Sequence, residues 1–143
     1  MDDSIGRAIR ERVEQEGFAR KVGLELVGVG PGYALVEMVP KRDDENIFGM
    51  VHGGAIFSLM DEAFQVSCNS HGTVAVALCV NVVYHNPPEG GVRLRAESKE
   101  IHRSNKTATY RIQVTDAGDR LIASCQAVAY RKGGKLPFLE TSE

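Results

Sequence analysis

The run from Asn46 to Asp61, N-I-F-G-M-V-H-G-G-A-I-F-S-L-M-D, holds the densest group of residues that could do chemistry. His52-Gly53-Gly54 falls where an apolar, helix-spaced segment begins. The unpaired amides of a first helical turn point outward there, with the positive end of the helix dipole behind them, which suits developing negative charge. A pair of glycines removes side chains that would keep a ligand carbonyl from the backbone. The same pair would also serve a plain loop-to-helix junction that needs positive φ. Asp61 is a poor mid-helix residue at the edge of an apolar arc; partial burial would raise its pKa and make it a base or a nucleophile toward an electrophilic carbonyl. The competing reading is a solvated carboxylate on the polar side, where Ser58, Glu62, Gln65 and Asn69 also fall.

Other chemistries lack their residues. His52, His71, His85 and His102 have no metal-ligand spacing, and no Cys pair joins them, so no metal site is expected. Neither a G-x-S-x-G elbow nor a phosphate-binding glycine loop is present. Cys68, Cys79 and Cys125 each lie in apolar stretches and read as reduced core residues of a cytoplasmic chain. A net charge of -2, from 17 basic and 19 acidic residues, gives no field to collect a nucleic acid. No apolar run is long enough to span a membrane. Arg93, Arg95, Lys99, Arg103 and Lys106 supply local positive charge, as a solvated sheet face or as contacts to ligand phosphates.

These residues need a frame to position them. At 143 residues there is material for one domain, residues 1–143. Ile5, Ala8, Ile9 and Val13 recur at helical spacing, predicting an N-terminal amphipathic helix over about 3–17 with Gly17 as its stop. A core over about 18–132 and a tail over about 133–143 follow. The stretch FARKVGLELVGVGPGYALVEMVP holds two Val/Leu-rich runs joined by Gly30-Pro31-Gly32, which predicts a hairpin. From Gly54 to about Ser70 the apolar residues fill an arc of roughly 220° at 100° per residue, too wide for an ordinary surface helix. After Gly72 the pattern is strand, with turns at Pro87-Pro88-Glu89-Gly90-Gly91 and Asp116-Ala117-Gly118-Asp119. The order predicts an α+β fold: an antiparallel sheet of five to six strands wrapped around one long central helix.

The set Asn46, His52, Gly53, Gly54, Ala55, Leu59, Asp61 and Ala63, continued through the NVVYHNPPEGG turn and the GDRLIASCQAVAYRKG strand, resembles the hotdog-fold acyl-CoA thioesterases of the phenylacetate-degradation PaaI type over roughly residues 20–132. The resemblance implies an acyl-CoA substrate, no cofactor beyond the coenzyme A of that substrate, and a homodimer with composite sites, commonly paired into a homotetramer. Gly53 resembles the residue whose amide binds the thioester oxygen, Asp61 the acid that activates water or attacks directly. Asn46 resembles the side chain that orients water or carboxylate, and His52 one that lines the same site. Ala77 stands where some relatives carry Ser or Thr facing the acid. Arg103 and Lys106 occupy a turn that in relatives touches the nucleotide. Gly54, Phe57 and Gln65 complete the expected substrate contacts, with Phe48 and Phe64 beside Phe57 as a prospective acyl pocket. A non-catalytic acyl-CoA binder on the same fold is the alternative, and a hotdog dehydratase is a further one that lacks its signature here.

One geometric point is independent of the resemblance. Gly53 and Asp61 are eight residues apart, about 12 Å along a helix axis, so one chain cannot bring both to one carbonyl.

Overall fold

The computed structural model describes residues 3–139. Three helices, α1 (Asp3–Glu14), α2 (Gly17–Val22) and α3 (Gly53–Asn69), accompany six strands: β1 (Glu25–Gly30), β2 (Tyr33–Met38), β3 (Thr73–Tyr84), β4 (Leu94–Arg103), β5 (Thr107–Asp116) and β6 (Leu121–Lys135). The strands form one antiparallel sheet in the order β1-β2-β4-β5-β6-β3. The expected α+β hotdog architecture is what the chain adopts, with six strands around α3.

Alternation explains the wrap. Val36, Met38, Leu94, Ala96, Tyr110, Ile112, Val114, Ala123, Ala127 and Ala129 face one side of the sheet and are buried. Against them α3 sets Ile56, Leu59, Met60, Ala63 and Phe64. The small side chains on β6 let the helix lie close, and Phe64 meets Tyr110 edge to face with ring centroids 5.6 Å apart. Phe64 therefore belongs to the core and does not line an acyl pocket.

Three boundaries differ from the sequence reading. Gly17 does not stop α1, which ends at Glu14; it opens α2, a six-residue helix that takes up the start of the stretch read as a hairpin. Gly23, at φ +83, closes α2, and a turn and a half of helix is too short to leave a periodic signal. At the other end, β6 continues to Lys135 and Leu136 is buried, so the first residues assigned to the tail belong to the sheet and core.

The C-terminal end of α3 is fastened by polar contacts. Ser67 and Ser98 share a buried hydroxyl hydrogen bond of 2.7 Å. The Ser70 hydroxyl donates to the Ser67 carbonyl and accepts from the Gly32 amide, both at 2.7 Å. Gly32 sits at φ +66, where a Cβ would fall 2.7 Å from the Glu100 Cβ, so the β1–β2 turn needs glycine twice over. Glu100 accepts from Tyr110 and pairs with His71, each at 2.7 Å, and Asn69 clamps Ala75 through both ends of its amide. These hydrogen bonds and the His71 pair hold the Glu100 carboxyl below its ordinary value, against the opposing effect of burial.

The sheet has two unlike edges. β1 is short and α1 packs beside it, whereas β3 is twelve residues long and pairs only with β6. Val76, Leu78, Val83 and Tyr84 are exposed along it, and Leu78 forms a bulge between the Ala77–Ala129 and Cys79–Val128 pairs. Cys79 is exposed on this strand, not in the core as expected; Cys68 and Cys125 are buried, and all three are free thiols.

Candidate active site

The N-terminal end of α3 is built so that one amide is left over. His52 is the N-cap, with φ -65 and ψ 135, and its Nδ1 accepts the Gly54 amide proton at 2.8 Å. The Ala55 and Ile56 amides both reach the His52 carbonyl. The Gly53 amide has no protein partner among the described residues, so the positive end of the helix presents one open donor. Neither Gly53 nor Gly54 has positive φ. The glycines are there for space: a Cβ on Gly54 would press on the His52 ring at 3.0 Å, and one on Gly53 would meet Tyr84 at 3.4 Å.

Asn46 shapes the loop that leads into this turn. Its Oδ1 accepts from the Phe48 and Met50 amides at 2.9 and 3.0 Å, leaving its own NH2 without a protein partner among the described residues. Ile47 and Phe48, at the tip, are 94% and 77% exposed. Tyr84 was not singled out from the sequence, yet its hydroxyl donates to the Gly53 carbonyl at 3.1 Å. Alternation along β3 from Val80 and Val82 places it on the helix side, which is the signal that could have found it. Beside it opens a depression of about 280 Å³ bordered by Met50, Val51, Gly53, Ile56, Tyr84 and Pro87.

Asp61 lies two turns farther along α3 on its uncovered side, eight residues from Gly53 in an unbroken helix. Enough protein surrounds the carboxyl that burial raises its pKa, and the nearby Glu16 charge adds to the effect. Burial first and Asp61 after it push the thiols of Cys68 and Cys125 up to about 12 and about 11, so neither supplies a thiolate near neutral pH.

Glu62 departs from the polar side assigned to it and is 5% exposed. Glu16, at the α1–α2 junction, covers it. Gln65 Nε2 donates to Glu16 Oε2 at 2.9 Å and to Glu62 Oε1 at 3.2 Å, while Glu62 Oε2 and Glu16 Oε1 are buried with no partner of another kind. One proton between the two carboxyls satisfies both oxygens. Burial, then the hydrogen bond and charge of Glu16, push Glu62 up to about 9, so the pair keeps that proton near neutral pH.

The chain thus gathers Asn46, His52, Gly53 and Gly54 at one end of α3, and Phe57 is half-exposed one turn in. It does not bring the remaining candidates to them. Gln65 is engaged by the two glutamates, and Ala77 lies on β3 opposite buried Ala129. Arg103 and Lys106 flank the β4–β5 turn, at the other end of the sheet. Arg131 joins that turn, donating from its amide to Lys106 and from its guanidinium to the Ser104 carbonyl, each at 2.7 Å. Its position in β6, far along the sequence, gave no sign of this. Among the described residues no three His, Cys, Asp or Glu side chains converge as a metal site requires, and no helix is long and apolar enough to cross a membrane.

Comparison with known proteins adds a family. The model of the thioesterase superfamily matches residues 48–123. A protein of Archaeoglobus fulgidus that carries the name of an esterase is 43% identical over 74% of this chain and 69% of its own length. Acyl-coenzyme A thioesterase PaaI of Escherichia coli is 29% identical over 86% of this chain and 88% of its own. The solved structure of the Escherichia coli PaaI protein superposes with a TM-score of 0.89 at 27% identity, covering 93% of this chain and 96% of that one.

Proposed function

The chain belongs to the thioesterase superfamily, a thioester hydrolase of hotdog fold, and from that premise we propose that it hydrolyses an acyl-CoA to a free carboxylic acid and coenzyme A. The observation that carries the reading is the open Gly53 amide at the head of α3, kept free because His52 takes the Gly54 amide instead. A thioester oxygen set on that amide gains a donor and the helix dipole as negative charge develops, a contribution of about 3 to 4 kcal/mol for one such donor.

Asp61 is the base or nucleophile. As base it takes a proton from water, the water oxygen bonds to the acyl carbon, the carbon–sulfur bond breaks, and the departing coenzyme A thiolate is protonated. Its raised pKa makes it a stronger proton acceptor than an ordinary surface carboxylate. The unpartnered Asn46 amide is suited to orient the water or the carboxylate. No further cofactor is called for, and a cytoplasmic setting fits an acyl-CoA substrate.

The separation of about 12 Å between Gly53 and Asp61 requires two chains. A homodimer joined along β3, whose long apolar edge is unpaired, would run the strands antiparallel and turn one protomer end for end. The Gly53 end of one chain then comes toward Asp61 and the Arg103–Lys106 turn of the other, where the nucleotide phosphates would find their charge. Pairing of such dimers into a homotetramer extends the same reading.

The test is thiol release from aromatic, short-chain and medium-chain CoA thioesters, with thermal stabilisation by the same compounds measured in parallel. Release of thiol supports the hydrolase. Stabilisation without release would make the protein an acyl-CoA binder, a reading that Ala77, with no hydroxyl to face Asp61, keeps in the comparison.

A further inference from the structure

A cavity of about 310 Å³ lies between α1, the C-terminal half of α3 and the segment after β6. Ile9, Val13, Val66, Val74, Leu136 and Phe138 form its walls. The polar side chains around it are mostly committed elsewhere: Asn69 binds Ala75 with both ends of its amide, and the Gln65 amide nitrogen is shared by Glu16 and Glu62. Arg12 also borders the space; the rest of what remains for a ligand is hydrocarbon surface. Gln65 and Glu16 border the space, and Gln65 is a single helical turn beyond Asp61, about 6 Å along the axis. A chain whose carbonyl is held at Asp61 has only that turn to cross before it enters.

We infer that this cavity is the acyl chamber and that its occupant is an unbranched aliphatic acyl chain of medium length. The inference rests on the thioesterase reading and adds the substrate class to it. A cavity of about 150 Å³ accommodates benzene, so 310 Å³ leaves half its space empty around a single ring and suits roughly eight to ten chain carbons. Empty apolar space forfeits dispersion contacts, which a chain following the groove between α1 and α3 recovers. In the two-chain site, one protomer supplies Asp61 and the chamber, and its partner the Gly53 amide. The depression at Gly53 is the more open of the two and is left to the coenzyme A arm.

The experiment is a chain-length profile of kcat/KM on straight-chain acyl-CoAs and phenylacetyl-CoA, for the wild type, Val66→Phe and Val13→Phe. The two variants narrow the chamber from opposite walls, so Val13→Phe on α1 carries the test if Val66→Phe fails to fold. The wild type should peak near eight to ten carbons, and each variant should lose about fourfold per methylene displaced, so that the loss grows with chain length. A loss common to every chain length, or a wild-type preference for phenylacetyl-CoA, overturns the chamber. Should no thioester be cleaved at all, the hydrolase reading falls and the chamber is judged by calorimetry with the thioethers S-octyl-CoA and S-ethyl-CoA. Tighter binding of the octyl compound, lost in the variants, sustains it; equal affinities overturn it.

Discussion

The two ends of α3 treat polar groups in opposite ways. At the C-terminal end Ser67, Ser70, His71 and Asn69 are each paired within the chain, to Ser98, Gly32, Glu100 and Ala75. At the N-terminal end the Gly53 amide and the Asn46 NH2 are left without protein partners among the described residues, and Asp61 stays uncovered on the same side. A donor costs stability when it is buried and unpaired, and these two are not buried, so they stand open to water or a ligand. The difference separates a fastening from the proposed site: groups that finish their bonds hold the helix in the sheet, and groups that do not are open to the proposed ligand.

The largest effect should come from Asp61→Asn, which keeps shape and removes the proposed base. Thiol release should fall about a thousandfold. Folding should be unharmed, since a raised carboxyl pKa means that the charged form is disfavoured in the native state. In the wild type, activity should be lost as pH falls through that raised pKa, and a pH–rate profile in which the acidic limb sits at or below the ordinary Asp range would count against Asp61 as base.

Next in size is Gly53→Pro, which removes the open donor and sets a ring against Tyr84, at 3.4 Å from its Cβ. Gly53 is the first residue of α3, the position that tolerates proline, and His52 already has the extended backbone that a following proline demands. Because the amide bonds nothing among the described residues, any loss of thermal stability should be the small one that the Tyr84 contact imposes. Activity should fall about a hundredfold or more, the usual cost of one oxyanion donor. Full activity would remove the amide from the mechanism, and unfolding would mean that it has a structural partner after all.

At the fastened end the expectation reverses. Ser67→Ala leaves the buried Ser98 hydroxyl without its partner among the described residues, at a cost of about 1 to 3 kcal/mol in chemical denaturation. kcat for the folded fraction should hold. A kinetic defect larger than the stability defect would erase the distinction between the two ends.

How much of this could be read in the sequence depended on whether a signal is local. The 12 Å between Gly53 and Asp61 follows from helix rise alone, and the alternating strands and the Gly30-Pro31-Gly32 turn announce themselves within a few residues. The burial of Glu62 was not legible, because the group that covers it, Glu16, comes from a junction 46 residues away. Cys79 sits in a run as apolar as those around Cys68 and Cys125, and only the sheet order places its strand at an edge. Tyr84 was within reach by counting alternation. Arg131 was not, since its turn is assembled from β6 and the β4–β5 hairpin.

The smallest effect tests the middle of α3, where Glu62 stands between the two regimes: buried like the fastened end, yet adjacent in sequence to Asp61. Its pKa is pushed up to about 9 in the folded chain from an ordinary value of 4.5. The folded state therefore holds a proton that the unfolded state releases across that interval, and the stability tied to it is full below about 4.5 and is lost as pH rises toward 9. Glu62→Gln keeps a donor for Glu16 and has no proton to lose. The melting temperature of the variant should fall less than that of the wild type between pH 5 and 9. Parallel curves would mean that Glu62 is ionised when folded; the Glu16–Glu62 contact would then be a repulsion, leaving the Gln65–Glu16 hydrogen bond and apolar packing to hold the α1–α2 junction to α3.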